Sequence, residues 1–188
     1  MIGAVKTSMR DRLVEAASEL FYAEGIRAVS VDRIIEAAGT TKVTFYRHFA
    51  SKDDLVLAHL EKRAQLERDG IGQALAVADG DADRFFELVA GNLGVLACEP
   101  GFRGCPFINA AAEFPDGESP IRRFIDAHRT WWLDALGQSV SGRVAEADRE
   151  GTARDLMLLR DGAMVAGYLG DGATLAASFL RSARALIA

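Results

Sequence analysis

The spacing of apolar residues is the feature that most restricts the fold of this chain. Apolar residues recur at intervals of three and four along almost the whole sequence, and no stretch alternates as a half-buried strand does. This pattern predicts an all-α protein. The apolar runs are too short to span a membrane, and the N-terminal segment MIGAVKTSMRDR lacks the apolar core of a signal peptide. We therefore expect a cytoplasmic protein without a membrane segment.

Capping residues and glycines divide the pattern into helices. Ser30, Thr41 and Ser51 are suitable N-caps, and Gly70 and Gly72 are expected to end the helix that Ser51 begins. The predicted helices cover residues 7–23, 31–38, 43–49, the Ser51 cap to about 67, 82–97, 107–112, a long segment opening at 119–120, 151–168 and 173–187. We expect two domains, residues 1–52 and 53–188, joined rigidly by the fourth helix.

The charges are distributed unevenly along the chain. The net charge is −5, yet residues 1–52 hold eight basic and six acidic residues and carry +2. The remaining residues therefore carry −7. A mildly basic head on an acidic body suits a local DNA-binding surface on a protein that does not coat DNA indiscriminately.

The residues that would support catalysis or metal binding are missing from the sequence pattern. Cys98 and Cys105 match no zinc signature or disulfide framework, which favours two small apolar residues in a reducing compartment. A thiol sensor that uses either cysteine remains an alternative. Paired carboxylates, a nucleophile elbow and a phosphate-binding loop are not found. We expect neither an enzyme nor a bound cofactor or metal.

Residues 30–52, SVDRIIEAAGTTKVTFYRHFASK, read as a short helix, a glycine turn and a second short helix. This is the helix-turn-helix arrangement. Phe45 and Phe49 lie four residues apart and share the inner face of the second helix, whereas Val43 and Arg47 point nearly the opposite way. An outer face with this composition indicates that something docks there, and the major groove of DNA admits one helix.

Each predicted DNA contact has a chemical role. Val43 and Thr44 can meet thymine methyl groups, and Lys42 can reach a guanine edge or a phosphate. The helix N-termini behind Ser30 and Ser51 offer amides to phosphates. Arg47 is a further outward-facing candidate, with a merely solvated arginine as the alternative. The donors suited to phosphate oxygens are Thr41, Tyr46, His48 and Lys52, although His48 has a structural histidine as its alternative.

The segment TTKVTFYRHFxSKDDL closely resembles the recognition-helix signature of the tetracycline-repressor (TetR) family, and the strong resemblance covers about residues 9–57. It implies an all-helical fold with a DNA-binding head on a ligand-binding body. It further implies dimerisation through the last two helices and release from the operator when a small molecule binds. Val43 stands where the family often has glycine or alanine, and Thr40 where it often has valine. The operator sequence therefore cannot be transferred from other members.

The body concentrates aromatic side chains around GFRGCPFINAAAEF, residues 101–114, a segment that resembles one subgroup of these regulators. Such a set with few polar groups is typical of a ligand cavity, although aromatics at helical spacing are more often plain core. An apolar or aromatic effector is expected, with His128 and Glu113 orienting it. The candidate ligand-binding residues are Phe86, Phe102, Cys105, Phe107, Asn109, Glu113, His128, Trp131 and Trp132.

The last two helices carry wide apolar stripes with small residues, which favours a four-helix interface between two copies. The candidate interface residues are Leu156, Leu159, Met164, Tyr168, Leu175, Phe179 and Leu186. Two-fold symmetry predicts a pseudo-palindromic double-stranded operator. The sequence thus predicts a homodimeric regulator, most simply a repressor released by an unidentified small molecule. An activator, a ligand-independent DNA binder and a protein-interaction module are the alternatives.

Overall fold

The computed structural model describes residues 8–170 and 172–188. Within these ranges the chain forms nine α-helices and no strand. The helices are α1 Met9–Glu24, α2 Val31–Ala37, α3 Lys42–His48, α4 Lys52–Ala78, α5 Ala82–Ala97, α6 Pro106–Glu113, α7 Pro120–Ser139, α8 Glu146–Leu169 and α9 Gly172–Leu186. The prediction of an all-α fold with an N-terminal helix-turn-helix is confirmed.

Helices α1 to α3 form a small head around one apolar core. Leu13 of α1, Ile34 of α2 and Phe45 of α3 are fully buried in it. The turn between α2 and α3 passes through Gly39, whose φ of +60° is a backbone conformation that side chains disfavour. The Arg12 guanidinium donates to the Ala38 carbonyl at 2.6 Å and so satisfies the end of α2. These contacts fix the angle between α2 and α3.

Helix α4 is longer than the sequence pattern indicated. It begins at a capping box formed by Ser51 and Asp54 and continues to Ala78, so the predicted end near residue 67 is wrong. Gly70 and Gly72 lie exposed within the helix. A glycine costs a helix only about 1 kcal/mol relative to alanine. Packing of neighbouring residues such as Ile71 against the core outweighs that cost.

The predicted beginning of α8 is also wrong. It starts at Glu146 rather than at residue 151, and Gly151 lies inside it. Glycine alone favours a helix boundary at residue 151, but tertiary packing keeps α8 continuous through it.

Helices α5, α7, α8 and α9 pack together as the body, and α4 runs from the head into it. The contacts between helices are close where small residues meet. A Cβ added to Gly94 of α5 would lie 3.0 Å from the Cβ of Ala176 on α9. A Cβ on Gly167 of α8 would lie 3.0 Å from that of Ala97. Over the part of the chain that the structure describes, no helix combines the length and apolarity needed to cross a bilayer.

The first half of α4 is joined to α1 by a buried histidine. His59 Nδ1 lies 2.8 Å from Ser18 Oγ, and that hydroxyl is 2.7 Å from the Val14 carbonyl. Because the hydroxyl donates its proton to the carbonyl, Nδ1–H of His59 donates to the hydroxyl oxygen. Burial, helped by the nearby charge of Arg63, lowers the pKa of His59 from 6.5 to about 4.

We expect this histidine to make stability depend on pH. Between pH 6.5 and about 4 the unfolded chain binds a proton at His59 that the folded chain does not, so the free energy of unfolding falls as the pH falls. Replacement by His59→Gln should remove about 2–3 kcal/mol of that decrease. Urea unfolding across this pH range measures the effect.

The matched control is His48→Gln, which removes an exposed histidine of α3. It should keep the pH dependence of the wild-type protein. The same pH dependence in the His59→Gln and wild-type proteins would show that folding does not lower the pKa of His59.

Candidate functional site

Helix α3 has a buried face and an exposed face. Phe45 is fully buried and Phe49, at the C-cap, nearly so; their ring centroids lie 6.0 Å apart. On the opposite face Val43 is 72% exposed and Tyr46 is 50% exposed. Val43 and Tyr46 thus leave apolar surface exposed to water on a short helix. Because this surface does not contribute to the core, it is available for a partner.

Basic side chains lie beside these two residues. Lys42, Val43, Tyr46 and Arg47 line one shallow groove on the surface of α3. His48 is also exposed, and Lys42 makes only a loose contact of 3.6 Å with Asp32. This face therefore offers two apolar side chains and several positive or donor groups that have no close partner among the described residues. Such groups suit base edges and phosphates.

The predicted contacts Ser30, Thr41 and Thr44 are engaged within the head. The Ser30 hydroxyl accepts from the Arg33 amide, and the Thr41 hydroxyl accepts from the Thr44 amide, each at 3.3 Å. The hydroxyls of Thr41 and Thr44 lie 3.0 Å apart. Both caps, Ser30 and Thr41, lie at the exposed surface.

Lys52 occupies a different place from the one expected of a phosphate contact. Its Nζ donates to the Ile26 carbonyl at 2.6 Å, and the side chain is partly buried. Burial lowers the pKa of Lys52, while the charges of Glu113 and Asp53 oppose that effect. The lysine thus holds the loop between α1 and α2, and the sequence pattern gave no sign of that partner.

The nine candidate ligand residues are separated by the fold. Phe86 is fully buried in the body, with its ring centroid 5.1 Å from that of Phe85. Phe102 packs against Gly167, and the exposed Asn109 donates its amide to the Arg103 carbonyl at 2.9 Å. The four residues that line a common small cavity are Cys105, Phe107, His128 and Trp132.

The body contains two neighbouring cavities. The smaller, of about 210 Å³, lies between α6, α7 and α8 and has Phe107, Ile125 and Met157 among its apolar walls. The larger, of about 540 Å³, lies between α4, α5, α7 and α8 and is lined mainly by aliphatic side chains such as Leu93. Its size falls within the usual range for ligand sites.

A cluster of polar side chains separates these cavities. We call Glu67, His128, Trp132 and Arg160 the polar partition. The carboxylate oxygen Oε2 of Glu67 lies 3.0 Å from His128 Nε2 and 2.7 Å from Trp132 Nε1. Trp132 and Arg160 line both cavities, and the guanidinium lies 4.6 Å from the centroid of the Trp132 ring.

The protonation of the polar partition follows from its contacts. Burial alone would raise the pKa of Glu67, but the hydrogen bonds from His128 and Trp132 and the charge of Arg160 lower it overall. Glu67 is therefore ionised, and Nε2–H of His128 donates to it. His128 Nδ1 is buried without a partner among the described residues.

Glu67 and Arg160 are functional candidates that sequence reasoning missed. Arg160 lies on the inner face of α8, one turn from Leu156 and from Met164. A charged residue that interrupts an apolar stripe is the signal that was available. Glu67 gave none, because it falls where α4 was expected to end.

Glu113 links the body to the head and lines neither of the two body cavities. Its two carboxylate oxygens accept from the backbone amides of Ile26 and Arg27 at 2.8 and 2.6 Å. Nearby, the Tyr22 hydroxyl donates to the Gly104 carbonyl at 3.0 Å and accepts from the Arg103 amide at 2.8 Å. We call these contacts the head–body clamp.

Trp131, the last of the ligand candidates, and the two cysteines differ in how far their side chains are buried. Trp131 is half-buried, with its ring stacked on His128 at 5.3 Å and Arg68 over it at 5.7 Å. Cys105 is buried beside Arg160, whereas Cys98 is exposed.

The candidate dimer residues divide into two sets. Tyr168 and Leu186 are exposed, and Leu159 is half-buried. The other four are buried within their own chain and leave no surface for a partner: Leu156, Met164, Leu175 and Phe179. The strongest apolar stripes of α8 and α9 therefore form the core of the protomer. A separate stripe of Leu158, Val165 and Leu169 on α8 is exposed.

Three comparisons place this chain among known proteins. The family model described as "Bacterial regulatory proteins, tetR family" matches residues 13–59, which include α2 and α3. A solved TetR-family transcriptional regulator from Streptomyces coelicolor (SCO4454) is 39% identical. It superposes with a TM-score of 0.89 over 95% of this chain and 94% of that one.

Curated relatives are similar over a shorter segment. The transcriptional activator FasR of Mycolicibacterium smegmatis is 37% identical over 40% of this chain and 34% of its own length. The transcriptional repressor KstR2 of Mycobacterium tuberculosis is 41% identical over 26% of this chain and 24% of its own length. The chain thus matches about a third or less of these two proteins. The likeness to the Streptomyces coelicolor regulator extends over nearly both chains, and the present protein belongs to the TetR family of DNA-binding transcriptional regulators.

Proposed function

We propose that the protein is a homodimeric repressor that binds a pseudo-palindromic operator through α3 and leaves it when a small molecule occupies the body. In this proposal residues 1–52 are the DNA-binding domain and residues 53–188 bind the ligand and form the dimer. The observation that carries it is the outer face of α3, where Val43 and Tyr46 are exposed beside Lys42 and Arg47. The head is built to hold this face outward, because Phe45 and Phe49 anchor the opposite one.

Repression is the simpler direction of regulation, since a dimer seated on a promoter obstructs polymerase without further contacts. The curated relatives include both an activator and a repressor. A reporter gene placed behind the upstream region of the protein's own gene distinguishes repression from activation. Expression that rises when the regulator is deleted supports repression, and expression that falls supports activation.

Removal of side chains from the outer face of α3 should weaken operator binding. We expect Arg47→Ala and Tyr46→Ala each to reduce affinity about ten- to a hundredfold, because each removes a contact on the outer face of α3. Fluorescence anisotropy with labelled DNA from upstream of the gene, at several salt concentrations, measures this effect. Wild-type affinity should fall steeply with salt, as phosphate contacts require.

The matched control is Arg84→Ala, which removes an exposed arginine of α5. Its affinity should equal that of the wild-type protein. Equal losses in the control and in the α3 variants would indicate non-specific attraction and would contradict base reading by α3.

The exposed stripe on α8 supports the proposed dimer. Leu158, Val165 and Leu169 lie on one side of this helix and are 66%, 48% and 74% exposed. Tyr168 on α8 and Leu186 on α9 are also exposed. Two copies related by a two-fold axis would cover these side chains with one another, which is how homodimers remove apolar surface from water.

A charge in the middle of this stripe should separate the dimer. In a symmetric interface Val165→Glu brings two carboxylates into an apolar contact, and we expect a monomer in analytical ultracentrifugation. Operator affinity should fall with it, since a single head contacts one half-site. Leu66→Glu, on an exposed leucine of α4, is the control and should leave the dimer intact. A dimeric Val165→Glu protein would place the interface elsewhere.

The head–body clamp provides a route by which the body can act on the head. Helix α6 contributes Phe107, Ile108 and Ala111 to the smaller cavity and ends at Glu113, which holds the loop before α2. A ligand that shifts α6 therefore shifts the head relative to its partner across the dimer. Misalignment of two heads with two successive grooves is sufficient to lower affinity.

Loss of the Glu113 carboxylate should loosen the head. In Glu113→Gln one oxygen that accepts from a backbone amide is replaced by an NH₂ group, which cannot accept. We expect faster hydrogen exchange at the amides of Ile26 and Arg27, and a free energy of unfolding lower by about 1–3 kcal/mol.

The control for this experiment is Glu118→Gln, because the Glu118 side chain is exposed and makes only a 3.6 Å contact with Arg123. That variant should match the wild-type protein in both measurements. Unchanged hydrogen exchange at the amides of Ile26 and Arg27 in the Glu113→Gln protein would contradict the proposed coupling through the head–body clamp.

A further inference from the structure

Arg160 is a buried cation with only loose partners. It is 5% exposed. Its Nη1 lies 3.4 Å from Cys105 Sγ and 3.3 Å from Asp161 Oδ1, and its Nη2 lies 3.5 Å from Glu67 Oε2. Nε has no partner among the described residues. Paired guanidinium and carboxylate groups normally approach to about 2.7–2.9 Å, so this arginine retains donors for a closer acceptor.

The other charged groups of the smaller cavity are already paired. Arg122 donates to Asp126 at 3.0 Å, and Arg129 donates to Asp161 at 2.6 Å. Asp126 and the neighbouring Asp161 thus neutralise Arg122 and Arg129. Arg160 is the arginine of this lining whose contacts with carboxylate oxygens, at 3.3 and 3.5 Å, are all longer than those of a close ion pair. It is therefore the arginine of the lining that has donors left for an added anion.

The two sides of Arg160 differ in what they offer an anion. On the side of the larger cavity its Nη2 faces Glu67, whose ionised carboxylate repels a second one. On the side of the smaller cavity its Nη1 lies 3.4 Å from the Cys105 thiol and 3.3 Å from Asp161 Oδ1. Neither Glu67 nor Asp161 is part of the lining of the smaller cavity, so this is the side on which an anion would meet less repulsion.

The walls of the smaller cavity indicate the size and polarity of the part of the ligand that carries no charge. Phe107, Ile125 and Met157 are apolar and buried, and a space of about 210 Å³ admits a single ring or a short branched chain. His128 also lines this space, and its Nδ1 has no partner among the described residues. With Nε2–H committed to Glu67, Nδ1 is the ring nitrogen left to bond with a polar group on the same ligand.

We propose that the smaller cavity is the effector site for a small organic carboxylate, whose anionic head pairs with Arg160 and whose apolar body lies against Phe107, Ile125 and Met157. The inference rests on the proposed function, since it names the ligand class for the proposed release from DNA. It also changes the expectation from a purely apolar effector to an amphiphilic anion.

The test compares two compounds of almost the same shape, phenylacetate and its neutral amide, phenylacetamide. Trp132 lines the cavity, so quenching of tryptophan fluorescence in the full-length protein reports binding, and calorimetry gives the affinity. Phenylacetate should bind at least about tenfold more tightly than the amide, as expected for a hydrogen-bonded charge. Equal binding of the two overturns the proposal. The proposal is also overturned if phenylacetate, benzoate and isobutyrate all fail to bind at concentrations up to roughly 10 mM, which exceeds the dissociation constant of even a weak complex.

Substitutions in the smaller cavity test whether the carboxylate binds there. Arg160→Met should weaken phenylacetate binding about ten- to a hundredfold. The control Arg154→Gln removes an exposed arginine of the same helix that lines neither cavity, and it should change binding by less than about threefold. Should Arg160→Met fail to fold, Ala111→Phe tests the site without touching the polar partition. It fills the cavity and should abolish binding. Wild-type affinity in either Arg160→Met or Ala111→Phe overturns the assignment.

Operator binding is measured in parallel to separate the two proposals. Carboxylate binding that leaves operator affinity unchanged supports the cavity assignment and contradicts ligand release. Release by a neutral compound in a protein that binds no carboxylate supports the proposed function and overturns the ligand class. Release by phenylacetate in the wild-type protein, lost in Arg160→Met, supports both.

Discussion

The continuity of α4 is the constraint on which the rest of the structure depends. One unbroken helix of 27 residues begins at the DNA-binding head and ends in the wall of the larger cavity. At 1.5 Å per residue it spans about 40 Å. Leu55 and Leu60 near its beginning are fully buried, and Glu67 in its middle lies in the polar partition. Head and cavities therefore share a rigid element, and a change at one end changes the orientation of the other.

The sequence predicted well those features that depend on local periodicity. Phe45 and Phe49 had to share a face because four residues make about one helical turn, and the opposite face had to be exposed. The caps at Ser30, Thr41 and Ser51 were correct for the same reason, since each satisfies amides three residues away in its own helix. This local chemistry was enough to give the fold class and the helix-turn-helix.

The features that depend on distant contacts could not be predicted. Glu113 binds amides 86 and 87 residues away, and Lys52 binds a carbonyl 26 residues away. Neither pairing leaves a trace in spacing or composition. The extension of α4 through Gly70 and Gly72 is of the same kind, because packing outweighs helix propensity. Four of the seven dimer candidates are buried for a different reason: periodicity identifies the most apolar face of a helix, and on α8 and α9 that face packs within the chain.

Ile26 lies where the head–body clamp and α4 meet. Glu113 accepts from its amide and Lys52 donates to its carbonyl, so both polar groups of one backbone residue are held by side chains from different elements. The loop therefore cannot bend without breaking one of these bonds, and the head moves as a block. In the proposed dimer, a head held in this way would sense the distance and the twist between half-sites more sharply than distortion within one half-site. Substitutions around the proposed effector cavity would then change ligand specificity during evolution without changing the bases that α3 is proposed to read.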